Sequence, residues 1–181
     1  MIDALIADWL LDDVRRYLAS GARIAQDALS MTLRTLDAFA EVARRLRNRR
    51  KGHVSLEVAH EYDVQDLLYV ALKPHIPDLS DEEWTPKDAG GAKKIDFLSR
   101  AARLGIEAKK TRDAEHANKA VPDELKIDIE SYHRIEECDN LVMFIYDPDH
   151  YTVDPRTLEA HLSGPRVIKG HRVEVIARIR P

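Results

Sequence analysis

The chain opens in helical spacing and later switches to strand spacing. Ile2, Leu5, Ile6, Trp9 and Leu10, followed by Tyr17 and Leu18, recur at three and four residues and predict an amphipathic helix. Gly21 is read as its end. Leu29, Leu33, Leu36, Ala40 and Ala43, widened by Phe39 and Leu46, predict a second helix from Ile24 to Arg47. Joined by a short glycine turn, the two predict an α-helical hairpin, and residues 1–52 are read as a helical extension. Such a hairpin cannot bury its apolar face alone. It covers the following domain or pairs with a second copy, and the reading favours a homodimer through these helices.

Residues 53–181 read as one domain. Leu56, Leu67, Leu68, Ala71 and Leu72 predict a helix over Val54 to Lys73, stopped by Pro74, with Glu57, Glu61 and Gln65 on one face. His75 to Ala92 reads as a long loop, with Pro77, Pro86, Gly90 and Gly91. Lys94 to Ser99 and Leu104 to Lys110 read as strands joined by a turn over Arg100 to Arg103. Asp113 to Val121 reads as a polar loop, and Pro122 opens a helix to about Glu136. The run LVMFIYD from Leu141 is apolar without alternation, as in a central strand covered on both faces. Asp154 caps a short helix that begins at Pro155 and ends at Leu162, and Ser163-Gly164-Pro165 reads as a turn. Arg172 to Arg180 alternates, with Val173, Val175, Ala177 and Ile179 on the buried side. These elements predict a mixed α/β domain with a central sheet flanked by helices.

The strand pair carries the candidate chemistry. Ten residues separate Asp96 from Glu107, and one residue, Ala108, separates Glu107 from Lys109. Side chains alternate along a strand, so Glu107 and Lys109 share a face, and a tight turn sets Asp96 beside Glu107. Two adjacent carboxylates repel, and a hard divalent cation relieves the repulsion through oxygen ligands while keeping several waters. Such a cation serves phosphodiester hydrolysis, and a neighbouring ammonium orients water and offsets developing charge.

Asp-x(10)-Glu-x-Lys on a hairpin resembles the core motif of the PD-(D/E)XK nucleases. The blocks EYDVQDLL, WTPKDAGGAKKIDFL, GIEAKKTR, ELKIDIESY and LVMFIYDP, in that order, resemble the MboI-like restriction endonuclease branch over about residues 58–181. One departure is Ile95, which stands before Asp96 where the motif's name has proline. The resemblance implies a restriction-endonuclease-like fold and a Mg²⁺-dependent endodeoxyribonuclease, with Mn²⁺ as a substitute, serving prokaryotic restriction or anti-phage defence alongside a partner protein. It implies metal ligation by Asp96, Glu107 and the Ala108 carbonyl, with Lys109 positioning the attacking water. Glu61 takes the place of the further acid on the preceding helix, supporting metal or lysine.

Composition changes the picture in one respect. The 181 residues carry a formal net charge of −4, so phosphate binding requires a local basic patch. Candidates are Arg44, Arg45, Arg47, Arg49, Arg50 and Lys51 at the end of the second helix, Lys93 and Lys94 before the first strand, and Lys110 and Arg112 after the second. Cys138 is the single cysteine, which excludes an intrachain disulfide, and its acidic neighbours make it inert. The eight histidines form no metal-binding pair, and neither a GxSxG nor a dinucleotide fingerprint is present. The acidic start lacks a basic signal region and no run is apolar long enough to cross a bilayer, so a cytoplasmic protein is expected. Two other readings stand beside the DNA nuclease: a catalytically silent nuclease-fold module that binds nucleic acid or protein, and an RNA-cleaving toxin.

Overall fold

The computed structural model describes residues 2–84, 94–132, 138–168 and 170–181. Its sheet has six strands in the order β1-β2-β3-β4-β6-β5. These are β1 (Ser80–Trp84), β2 (Lys94–Ser99), β3 (Leu104–Lys110), β4 (Asn140–Tyr146), β5 (Gly164–Ile168) and β6 (His171–Arg180). β1, β2 and β3 pair antiparallel, β3, β4 and β6 pair parallel, and β5 closes the far edge antiparallel to β6. Four α-helices flank it: α1 (Ile2–Arg47), α2 (Glu61–Leu72), α3 (Val121–Tyr132) and α4 (Pro155–Leu162).

Two apolar layers explain the sequence pattern. Ala28, Leu36, Phe39 and Ala43 of α1 and Val64, Leu68 and Leu72 of α2 pack on Phe97, Ile106, Val142 and Phe144. On the opposite face, Val121, Leu125 and Ile129 of α3 and Leu162 of α4 pack on Leu141, Met143, Ile145 and the inward residues of β6. β4 therefore sends Val142 and Phe144 one way and Leu141, Met143 and Ile145 the other, which is why its sequence does not alternate. β6 buries Val173, Val175, Ala177 and Ile179, as its alternation predicted. Phe39 meets both Phe144 and Tyr146 edge-on at about 5 Å, which fixes the second half of α1 to the sheet.

The expected helical hairpin is a single helix of 46 residues. Gly21 sits inside it with nothing within 4 Å of a Cβ placed there. One exposed helical glycine costs only about 1 kcal/mol relative to alanine, and the strong helix formers around it carry the helix through. The expected helix over Val54 to Lys73 begins only at Glu61. Asp63 reaches back, its Oδ2 accepting from the backbone N–H groups of Ala59 (2.8 Å) and His60 (2.7 Å), and this starts the helix there. Glu57 consequently lies outside the helix, and only Glu61 and Gln65 keep the shared face.

Two strands fall where loop or turn was expected. β1 carries the polar sequence SDEEW and is an edge strand, held by backbone pairing without an apolar pattern. β5 contains Pro165, which an edge position tolerates. The segment expected as a polar loop before α3 instead contains a π-helical turn, His116–Ala120, that runs directly into it. Gly90, Gly91 and Lys93 lie outside the described residues.

Candidate active site

The β2–β3 hairpin turns through Arg103, a non-glycine residue at φ 50. The surroundings hold it in that left-handed conformation. Its carbonyl accepts from the N–H groups of Asp139 (2.9 Å) and Asn140 (3.1 Å), and its guanidinium pairs with the Asp139 carboxylate. The turn is thus sewn to the start of β4. Gly105, one residue into β3, gives the strands room. A Cβ there would stand 2.6 Å from Ile95 Cδ1 and 2.9 Å from Cys138 Sγ, closer than packing allows.

From this turn the β2–β3 ladder runs Ser99↔Leu104, Leu98↔Gly105 and Phe97↔Ile106, and stops short of Asp96. Strict alternation puts Ile95 and Leu98 on opposite faces, yet both belong to the layer under α3 and α4. β2 therefore bends at Asp96. In place of a ladder carbonyl, Asp96 offers its side chain, and Oδ2 accepts the Ala108 N–H at 2.8 Å. The N–H and C=O of one strand residue leave on the same edge, so the Ala108 carbonyl also faces β2.

Glu107 and Lys109 lie on the same side of β3, with Lys109 Nζ 3.0 Å from Glu107 Oε1. The same ammonium lies 3.4 Å from Glu61 Oε1, on the first turn of α2. Glu61 reaches it because Val64 and Leu68, three and seven residues on, anchor that stripe of α2 to the core. Gln65, one turn after Glu61, hydrogen-bonds the Asp96 carboxylate. The structure thus gathers Asp96, Glu107, Lys109 and Glu61, and adds Gln65. Sequence reading had placed Gln65 on the Glu61 face without giving it a role; that spacing was the signal.

The electrostatics follow from burial. Asp96 is pushed up to about 6, chiefly by burial and further by Glu61, against the pull of the Ala108 N–H, Lys109 and Gln65. For Lys109, burial alone would lower the pKa, but Glu107 first, then Glu61 and Asp96, hold it above the ordinary lysine value. The site therefore has three carboxylates and one ammonium, too little positive charge to keep Asp96 ionised at its usual pH. The atoms that Asp96 and Glu107 offer to a cation are all carboxylate oxygens. This set fits a hard divalent cation that keeps several waters. It is not a closed cage: among the described residues no group of three or more His, Cys, Asp or Glu could hold a metal.

The candidate phosphate contacts fall around this centre. Arg44, Arg45 and Arg47 form the last turn of α1, and Arg49, Arg50 and Lys51 follow it, exposed. Arg44, Arg47 and Lys110 line a cleft of about 700 Å³ together with Asp37, Glu41 and Glu57. Lys110 also lines a second cleft, of about 390 Å³, with Glu61 and Arg112. It thereby links the basic end of α1 to the cleft beside Glu61. Arg45, Arg49 and Arg50 face a separate depression beside His53. Lys94 is exposed at the start of β2.

Cys138 is buried and burial pushes its thiol up to about 12, in keeping with an inert residue. No helix among the described residues is long and apolar enough to cross a membrane. A family model described as REase_DpnII-MboI matches residues 30–180. No curated protein and no solved structure matches. The matched span contains the bent β2, the Glu107–Lys109 pair and the helix that supplies Glu61. The chain belongs to the DpnII-MboI restriction endonuclease family.

Proposed function

We propose that this restriction-type nuclease is a Mg²⁺-dependent endodeoxyribonuclease, with Mn²⁺ as a substitute, and that the PD-(D/E)XK set performs the hydrolysis. The observation that carries this reading is the raised Asp96 carboxyl beside Glu107 and the Ala108 carbonyl, an oxygen site short of positive charge. Asp96, Glu107 and the Ala108 carbonyl hold the cation, which when bound supplies Lewis acidity and lowers the pKa of water. Lys109 stays an ammonium and so donates hydrogen bonds: it orients the attacking water and screens charge on the phosphate. Glu61 fixes Lys109 from the helix side, and it is close enough to assist the metal. Arg44, Arg45, Arg47, Arg49, Arg50, Lys51, Lys93, Lys94, Lys110 and Arg112 bind backbone phosphates without reading bases.

Cutting both strands takes two sites, so a homodimer is the working form. The first half of α1 suits the contact, because Val14, Leu18 and Ile24 are 53%, 63% and 51% exposed, and among the described side chains of α1 those buried in the core begin at Ala28. The setting is prokaryotic restriction or anti-phage defence in the cytoplasm, with a partner protein supplying the target. The test is supercoiled plasmid incubated with Mg²⁺, Ca²⁺ or EDTA, using wild type and Lys109→Ala. Cleavage that needs Mg²⁺ and disappears with Lys109→Ala supports the enzyme. Binding without cleavage under every metal supports a silent module, and loss of RNA with DNA intact supports a ribonuclease.

A further inference from the structure

The 390 Å³ cleft beside Glu61 has a wall that the hydrolytic set does not use. His116 forms part of it, opposite the start of α2, together with His60, Lys110, Arg112 and Glu124. The residue is only 8% exposed, and its Nδ1 is buried with no hydrogen-bond partner among the described residues. Such an orphan is unfavourable, and an aliphatic side chain would fill the volume without it. The Thr32 hydroxyl oxygen also lacks a partner among the described residues, but it does not line this cleft.

The local backbone is built to hold His116 in place. It begins a π-helical turn, an element that recurs at functional sites. Asp113 Oδ1 accepts the His116 N–H at 2.8 Å. Two residues on, Asn118 donates to the carbonyls of Ala114 (2.7 Å) and Tyr151 (2.8 Å) and accepts from the Val153 N–H (3.0 Å). The turn is therefore pinned both to itself and to the loop after β4. A neutral imidazole has one donor and one acceptor nitrogen. With Nδ1 sealed inside, the ring meets the cleft by its outer edge, where Nε2 stands.

We propose that His116 is a substrate-contact residue whose Nε2–H donates to a phosphate oxygen of the nucleic-acid strand where it passes Glu61 through this cleft. This rests on the nuclease reading. Lys110 and Arg112 supply the charge of the subsite and the N-terminus of α2 adds its partial positive end. Glu61 does not repel the phosphate strongly, because its charge is engaged by Lys109 at 3.4 Å. His116 adds direction, fixing which phosphate oxygen faces the catalytic edge.

The experiment uses the full chain and a short fluorescent DNA duplex. Kd is measured by anisotropy with Ca²⁺, KM and kcat with Mg²⁺, and Tm for each variant. His116→Ala is expected to raise Kd and KM about tenfold, the effect of one charge-assisted hydrogen bond, with kcat within about twofold. His116→Gln, whose amide reaches the Nε2 position, restores both constants, whereas His116→Asn does not. If the alanine variant fails to fold, His116→Leu fills the volume without a polar atom and takes its place. Unchanged Kd and KM in the alanine or leucine variant overturn the proposal. So does an equal loss in all variants that tracks a fall in Tm. Wild type that binds the duplex but cleaves it under none of the metals defeats the nuclease reading, and Kd then still decides whether His116 contacts the phosphate.

Discussion

Replacing Lys109 with methionine tests whether the cluster of Glu61, Glu107 and Lys109 is held by charge. Methionine keeps most of the aliphatic stem and removes the ammonium, which stands 3.0 Å from Glu107 and 3.4 Å from Glu61. The Glu107 side chain is 5% exposed and that of Lys109 is 15% exposed, so the substitution leaves a carboxylate with little access to water. Breaking a buried pair costs about 3–5 kcal/mol, and the lower end applies because solvent reaches the lysine. Lys109→Met is therefore expected to lose about 3 kcal/mol in urea unfolding with EDTA at neutral pH. Glu107→Gln alone is expected to cost only about 1 kcal/mol, since Lys109 keeps Glu61. The double variant leaves only Glu61, which water reaches, without its lysine and returns to within about 1 kcal/mol of wild type, a coupling of about 3 kcal/mol. Single costs that add without coupling, or a loss below about 1 kcal/mol for Lys109→Met, would refute the buried pair.

Asp96 gives a pH signature in the metal-free chain. Its folded pKa of about 6 exceeds the ordinary 3.8, so its contribution to stability is full below 3.8 and is lost as pH rises through 6. Asp96→Asn should therefore stabilise the chain in EDTA at pH 8 by about 1–3 kcal/mol and have little effect at pH 3.5, read by urea melts. Metal binding that displaces this proton should tighten about fivefold between pH 5 and pH 6 and level off above about pH 7, as followed by titration calorimetry. Gly105→Ala forces its new methyl against Ile95 and Cys138, next to Asp96, and is expected to cost about 1–3 kcal/mol with slower cleavage. Leu18→Glu with Ile24→Glu is expected to convert a dimer to a folded monomer in light scattering, with far-UV helicity kept; an unchanged mass would rule out that face.

The sheet was legible where its residues face the core. The unbroken run of β4 and the alternation of β6 both follow from burial and read directly from residue type. β1 and β5 did not read as strands, because an edge strand is defined by backbone pairing and SDEEW or GPRVI carries no apolar code for it. Gly21 misled because a glycine can end a helix or be tolerated within one, and its own identity does not say which. In the candidate site, Asp96, Glu107, Lys109 and Glu61 were legible from spacing together with the resemblance. Gln65 and His116 were not assigned to it. Gln65 acts across the gap between α2 and β2, and His116 comes to the cleft through a π-helical turn that its sequence presents as polar loop.

The most direct test is a crystal structure grown with Mn²⁺ and a short DNA duplex, read by anomalous scattering. The expected result is a manganese peak at about 2.0–2.3 Å from carboxylate oxygens of both Asp96 and Glu107, with a phosphate oxygen in the same coordination sphere. A peak elsewhere, or DNA bound with its phosphates remote from Asp96, Glu107 and Lys109, would contradict the assignment of the hydrolytic centre.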